Sequence, residues 1–147
     1  MLTINDAVAA ILVYEDGRIL MQLRDDRSDI WYPNHWGLFG GGVEKGESPE
    51  EALCRELYEE LELVIKKSKF FAKFDFDLSE RGLGKAYRSY YEVQIDSVDL
   101  AKICIHEGKE AKLFESSDTF KLQLITPYDS FALKLFLDQR NISGSKY

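Results

Sequence analysis

Residues 41 to 63 read GGVEKGESPEEALCRELYEELEL, and few folds can accommodate this run. Ser48 caps a helix, Pro49 suits its first position, and Glu51 completes a capping box. Leu53, Leu57, Leu61 and Val64 then recur as an apolar stripe, with Cys54 beside it. Glu56, Glu59 and Glu60, with Ala52, form a separate face. On a helix, side chains three and four apart have Cβ atoms about 5–6 Å apart. Three like charges that close repel one another unless a cation lies between them. Hard divalent cations such as Mg²⁺ take carboxylate oxygens and bridge to substrate phosphates. The helix is therefore expected to pack one side on a core and offer the other to a metal, for diphosphate chemistry.

The rest of the chain supplies the core. Its 147 residues are expected to form one domain, large enough to fold without staples. The net charge of −7 argues against a protein that grips a nucleic-acid polymer. It leaves a nucleotide substrate open, because a bound metal reverses the local charge. Cys54 and Cys104 make no disulfide framework and no CxxC or Cys/His spacing. Cys54 is expected to be a buried thiol, and the setting reduced and cytoplasmic. No signal peptide is legible at the N-terminus, and no apolar run has the length of a membrane span.

Residues 6 to 14 and 19 to 24 flank the turn Glu15-Asp16-Gly17 and predict a β-hairpin. Trp36 to Phe39 is a short apolar run ending in Gly40 to Gly42. Residues 69 to 78 and 85 to 95 predict two longer strands joined at Arg81 to Gly84. Residues 101 to 105 and 111 to 114 predict two short strands around the loop His106 to Glu110, and 117 to 122 a helical turn. Thr126, Pro127 and Asp129 signal another helix, ending near Asn141 ahead of a loose tail from Ile142. The order of elements predicts a mixed sheet flanked by helices, of α/β (α+β) class.

Gly41, five residues, Glu47, seven residues, Arg55-Glu56-Leu57-Tyr58-Glu59-Glu60-Leu61 and the apolar Leu63 are very similar to the Nudix box. The match covers 23 of the 147 residues. Average residue usage puts so many fixed positions by chance at about one in a million or rarer. Two positions depart. Glu62 stands where the box has a glycine, so the helix either continues towards Lys66 or leaves Glu62 strained in a left-handed conformation. Phe39 stands where many members have proline.

The resemblance implies an α/β/α sandwich and metal-dependent hydrolysis of a nucleoside diphosphate linked to another group. It implies that Glu56, Glu59 and Glu60, with the Gly40 carbonyl, hold Mg²⁺ (Mn²⁺ also fits). Arg55 would fix a carboxylate's rotamer. Glu47 would brace the loop or reach the metals through water. Glu56 is the expected base, with Glu59 its competitor. Glu107 is expected as a further metal or base carboxylate, with Glu110 as the alternative.

The substrate side is less defined. Arg24 and Arg27 fit phosphate or base binding and surface ion pairs equally well. Trp31, Tyr32 and Trp36 fit either base stacking or packing, and Gly41 lines the site. Arg88 on the Tyr-rich strand is as ambiguous as Arg24. His35 and His106 stand isolated from other ligand types and read as structural or exposed. The Pro and Tyr marks of ADP-ribose and diadenosine polyphosphate members are missing around Leu78 to Arg81. Nucleoside triphosphates, oxidised ones included, are favoured over nucleotide sugars. A non-cleaving nucleotide sensor is the competing class. Isoprenyl-diphosphate isomerase chemistry would want a catalytic cysteine. A homodimer is compatible with all of these readings.

Overall fold

The computed structural model describes residues 6–82 and 85–144. Its centre is β1 (Ala7–Tyr14), whose residues alternate between two cores. Val8, Ala10 and Leu12 face one side, and Ala9, Ile11 and Val13 the other. All six are buried, as expected of a strand covered on both faces. β1 pairs antiparallel with β2 (Ile19–Leu23) through its C-terminal half and with β4 (Phe39–Gly42) through its N-terminal half. Along its other edge it runs parallel to β6 (Lys85–Ile95), which carries β5 (Lys69–Asp77) antiparallel. β3 (Trp36–Gly37) and β7 (Glu110–Phe114) add to β2 and complete a mixed seven-stranded sheet.

One core lies under α1 (Pro49–Leu61) and is filled by Ala52, Leu53, Leu57 and Leu61. The other lies under α3 (Pro127–Gly144), which contributes Ala132, Leu133, Phe136 and Leu137. This is the expected α/β/α sandwich.

Several local expectations change. Residues 101–105 form no strand. Asp96 and Asp99 build a capping box that starts α2 (Ser97–Lys102), and the chain then runs as a loop. α3 passes the expected stop at Asn141 and runs to Gly144; residues 145–147 of the tail, like the hairpin positions Leu83 and Gly84, lie outside the described residues. The helical turn spans Ser116–Lys121 as a 3₁₀ segment.

α1 ends at Leu61, and Glu62 caps it at φ 54°, ψ 24°. The helix therefore stops short of Lys66, and a non-glycine residue holds the left-handed position. Val64 falls beyond that stop and is 70% exposed. Cys54 is exposed and Ala52 buried, the reverse of what the stripe predicts. α1 meets β4 with Glu56 over Gly41 and Glu60 bonded to Gly40, and its buried arc includes Ala52 and Glu60 and leaves Cys54 outside.

Candidate active site

Two glycines of β4 make room for the site, Gly40 against β1 and Gly41 against α1. A Cβ on Gly40, at φ 151°, would lie 2.0 Å from the Val8 carbonyl oxygen. One on Gly41 would lie 2.4 Å from Cδ of Glu56. With no side chain between them, the Gly40 N–H donates to Oε2 of Glu60 at 3.0 Å. Glu60 is thereby held at 2% exposure, on the boundary between strand and helix.

Arg55 organises the remaining carboxylates. Its Nε and Nη2 donate to both oxygens of Glu47, at 2.8 and 3.0 Å. Its Nη1 donates to Glu56 at 2.8 Å and to Glu59 at 3.3 Å. Its Nη2 also donates to the Gly42 carbonyl at 2.9 Å. Glu47 in turn accepts the Glu44 N–H at 2.9 Å, which ties the turn before α1 to the same guanidinium. A planar fork with five donors suits this convergence.

The carboxylates of Glu47, Glu56 and Glu60 are held away from their ordinary titration range. Hydrogen bonds from Arg55 keep Glu47 low. Burial raises Glu56 against the pull of Arg55. Burial also pushes Glu60 up to about 9, reinforced by the charges of Glu107 and Glu56. Glu107 is exposed in the loop between α2 and β7, within electrostatic range of both. That loop is anchored by His106 N–H to the Glu60 carbonyl, Gly108 N–H to Asp25 and Lys109 N–H to the Leu23 carbonyl. Glu110, the alternative, is already paired opposite Leu23 in β7.

The other expected residues are spread around this centre. Arg24 donates from Nε to the Trp31 carbonyl at 2.9 Å. Arg27 is turned towards Asp29, in a pair 2.5 Å long. Trp36 packs edge-on against Phe114, with centroids 4.8 Å apart. Trp31, Tyr32 and Phe76 instead gather around Tyr128. Arg88 joins them, its guanidinium 5.0 Å from the Tyr128 ring centroid and 5.6 Å from that of Tyr90.

Asp129 and Tyr128 were missed as site candidates, because Thr126-Pro127-Tyr128-Asp129 already reads completely as a helix start. Asp129 is buried and accepts from Leu38 N–H, Tyr90 Oη and Thr126 Oγ1 at 2.9, 2.9 and 2.7 Å. Arg88 Nε lies 3.3 Å from its carboxylate but is buried without a hydrogen-bond partner among the described residues. A separate hollow of about 450 Å³, lined by residues including Leu63, Lys69 and Asp96, shares none of these side chains.

The NUDIX domain model matches residues 3–133. The chain belongs to the Nudix hydrolase family. Its curated relatives include the nucleoside triphosphatase NudI of Escherichia fergusonii, 32% identical over 124 residues, covering 80% of this chain and 83% of the relative. The NudI of Shigella sonnei is 35% identical over 107 residues, 71% of each chain. Among solved structures, the MutT protein of Methanosarcina mazei Go1 superposes with a TM-score of 0.78 at 21% identity, covering 95% of both chains. The NUDIX domain of Shewanella oneidensis NrtR, solved with ADP ribose, does so at 0.66 and 19% identity, covering 95% of this chain and 90% of that one. At these identities the two structures establish the fold. As a Nudix hydrolase the chain acts on phosphate anhydrides, and members of the family generally use divalent metals. No helix among its described residues is long and apolar enough to cross a membrane.

Proposed function

We propose that this Nudix hydrolase cleaves a nucleoside triphosphate to the monophosphate and diphosphate, with Mg²⁺ held by Glu56, Glu59, Glu60, Glu107 and the Gly40 carbonyl. The observation that carries the reading is Glu60: a carboxylate at 2% exposure, satisfied by one backbone N–H and crowded by Glu56 and Glu107. Buried carboxylates at close quarters are costly unless a cation compensates them. An all-oxygen donor set fits a hard divalent ion. Such an ion neutralises the diphosphate, polarises phosphorus and makes a water more acidic.

The protein's own groups do the rest. Glu56, its proton affinity raised by burial, takes the proton of the attacking water as that oxygen bonds to phosphorus and the anhydride oxygen departs. Glu59 is its competitor for that role. Arg55 fixes Glu56 and Glu47 and keeps the turn before α1 in place. Arg88, half-stacked on Tyr128, offers a cation to the nucleotide, and Trp31, Tyr32 and Phe76 offer faces to its base. We assign Arg24 and Arg27 to the phosphates or base on their charge alone.

The NudI relatives support a triphosphate over a nucleotide sugar. Phosphate and diphosphate release across ordinary and oxidised nucleoside triphosphates and nucleotide sugars, with and without Mg²⁺ or Mn²⁺, tests the assignment. Metal-dependent release of diphosphate from one or more triphosphates is expected. Cleavage of nucleotide sugars alone overturns the substrate. Tight binding of a nucleotide without cleavage overturns the reaction in favour of a sensor.

A further inference from the structure

Glu62, which stands where the Nudix box has glycine, does not stand alone. Its Oε2 lies 2.9 Å from Nε2 of His106, and the thiol of Cys104 lies close by. One ligand atom from each of Glu62, Cys104 and His106 lies within 4.8 Å of the other two. The expectation of an isolated histidine and an unpartnered cysteine fails here, because the chain returns to the end of α1 after α2. Residues 104 and 106 lie in the loop after α2, and their side chains gather with Glu62 at the helix cap.

The backbone holds this arrangement. The Cys104 N–H donates to the Leu61 carbonyl at 3.0 Å and the His106 N–H to the Glu60 carbonyl at 2.9 Å. Those are two of the carbonyls that a helix end leaves without partners. On the other side, the Glu62 N–H reaches Tyr58 and the Leu63 N–H reaches Leu57, at 2.8 and 3.3 Å. Glu62 is thus fixed in its left-handed conformation, where glycine would sit without strain. A carboxylate kept there at a backbone cost has a use for its side chain.

We propose that Glu62, Cys104 and His106 form a second metal site, distinct from the carboxylate centre, for a borderline-soft divalent ion of the zinc type. Sulfur and imidazole select zinc over Mg²⁺ or Ca²⁺. A tetrahedral zinc with sulfur at about 2.3 Å and nitrogen or oxygen at about 2.0 Å separates its ligands by about 3.3–3.6 Å. Small rotamer shifts bring the three atoms into that range. On coordination the Cys104 thiol loses its proton to solvent, and water takes the fourth position. Because His106 precedes Glu107, the ion clamps the Glu107 loop to the cap of α1, two residues from Glu60.

Cobalt titration of the reduced full-length protein tests this. Co²⁺ bound at the oxygen-only centre gives weak colour, whereas a thiolate site gives a sulfur-to-cobalt charge-transfer band and intense visible bands. The wild type is expected to show the band, saturating at one equivalent and bleached by Zn²⁺. Cys54→Ser and Glu60→Gln are expected to keep it, and Cys104→Ser to abolish it. His106→Ala and Glu62→Gly should weaken cobalt binding at least about tenfold, since even outer partners of a metal site are worth 10–100-fold. Glu62→Gly replaces a strained residue by the one its backbone prefers, so it should melt no lower than the wild type. Absence of the band in the wild type, its survival in Cys104→Ser, or unchanged affinity in Glu62→Gly each overturns the site.

Discussion

Gly40 and Gly41 adjoin in sequence yet guard different things. A methyl at Gly41 meets the tip of a flexible side chain, the Glu56 carboxyl, whereas one at Gly40 meets the backbone of β1. Gly41→Ala is therefore expected to displace Glu56 and cut turnover by about 10²-fold, the scale of a 1 Å misplacement, with little change in melting temperature. Gly40→Ala should instead destabilise the fold by more than the roughly 1–3 kcal/mol of ordinary overpacking. Parallel kinetics and thermal melts separate the two. Glu56→Gln and Glu60→Gln should each lower kcat by about 10²–10⁴-fold, the contribution of a positioned acid or base, while melting cooperatively. Near-full activity in both removes the proposed mechanism. Residues of this kind were legible because the spacing along α1 is local: Glu47, Arg55, Glu56 and Glu60 fall within four helical turns. Asp129, and its meeting with Arg88, were not, since β6 and α3 bring together residues 41 positions apart.

At the scale of elements, α1 is the part whose start the sequence specified best. Ser48 Oγ accepts the Glu51 N–H at 3.1 Å, and the Glu51 carboxylate accepts the Ser48 N–H at 2.8 Å. Ser48→Ala should cost about 1 kcal/mol. That corresponds to a melting temperature lower by about 3–5 °C for a chain of this size, without loss of turnover at 25 °C. A collapse of activity at that temperature would show that the cap positions the site and not merely the helix. The rotation of α1 was less legible. A stripe of leucines predicts which way a helix faces when the partner surface is apolar and flat. Here the helix also meets β4 through Glu56 at Gly41 and Glu60 at Gly40, so its buried arc takes in Glu60 as well as Ala52. α2 was missed for a simpler reason. Its six residues are too few for periodicity to emerge, and only the Asp96–Asp99 capping box marks it.

For the whole molecule, the raised carboxylate of Glu60 becomes a statement about stability. Its folded pKa of about 9 lies above the ordinary 4.5, so the folded state binds this proton more tightly than the unfolded chain. The stabilisation is complete below the ordinary value and is lost as pH rises through the window up to about 9. Metal-free protein is accordingly expected to melt at progressively lower temperature from pH 5 to pH 9. Glu60→Gln should flatten that slope, and Mg²⁺ should restore stability at the alkaline end by favouring the ionised form. Differential scanning calorimetry with and without chelator measures all three. An unchanged slope in Glu60→Gln would show that other groups set it. By itself, the sequence determined the reaction class, the hairpin, the long strands and the capped acidic helix, because each rests on residues close together along the chain. Tertiary structure alone decided which face of α1 is buried, that Arg88 meets Asp129 and Tyr128, and that Cys104 and His106 close on Glu62. Those contacts depend on where distant segments cross, and spacing along a chain does not encode where two crossings meet.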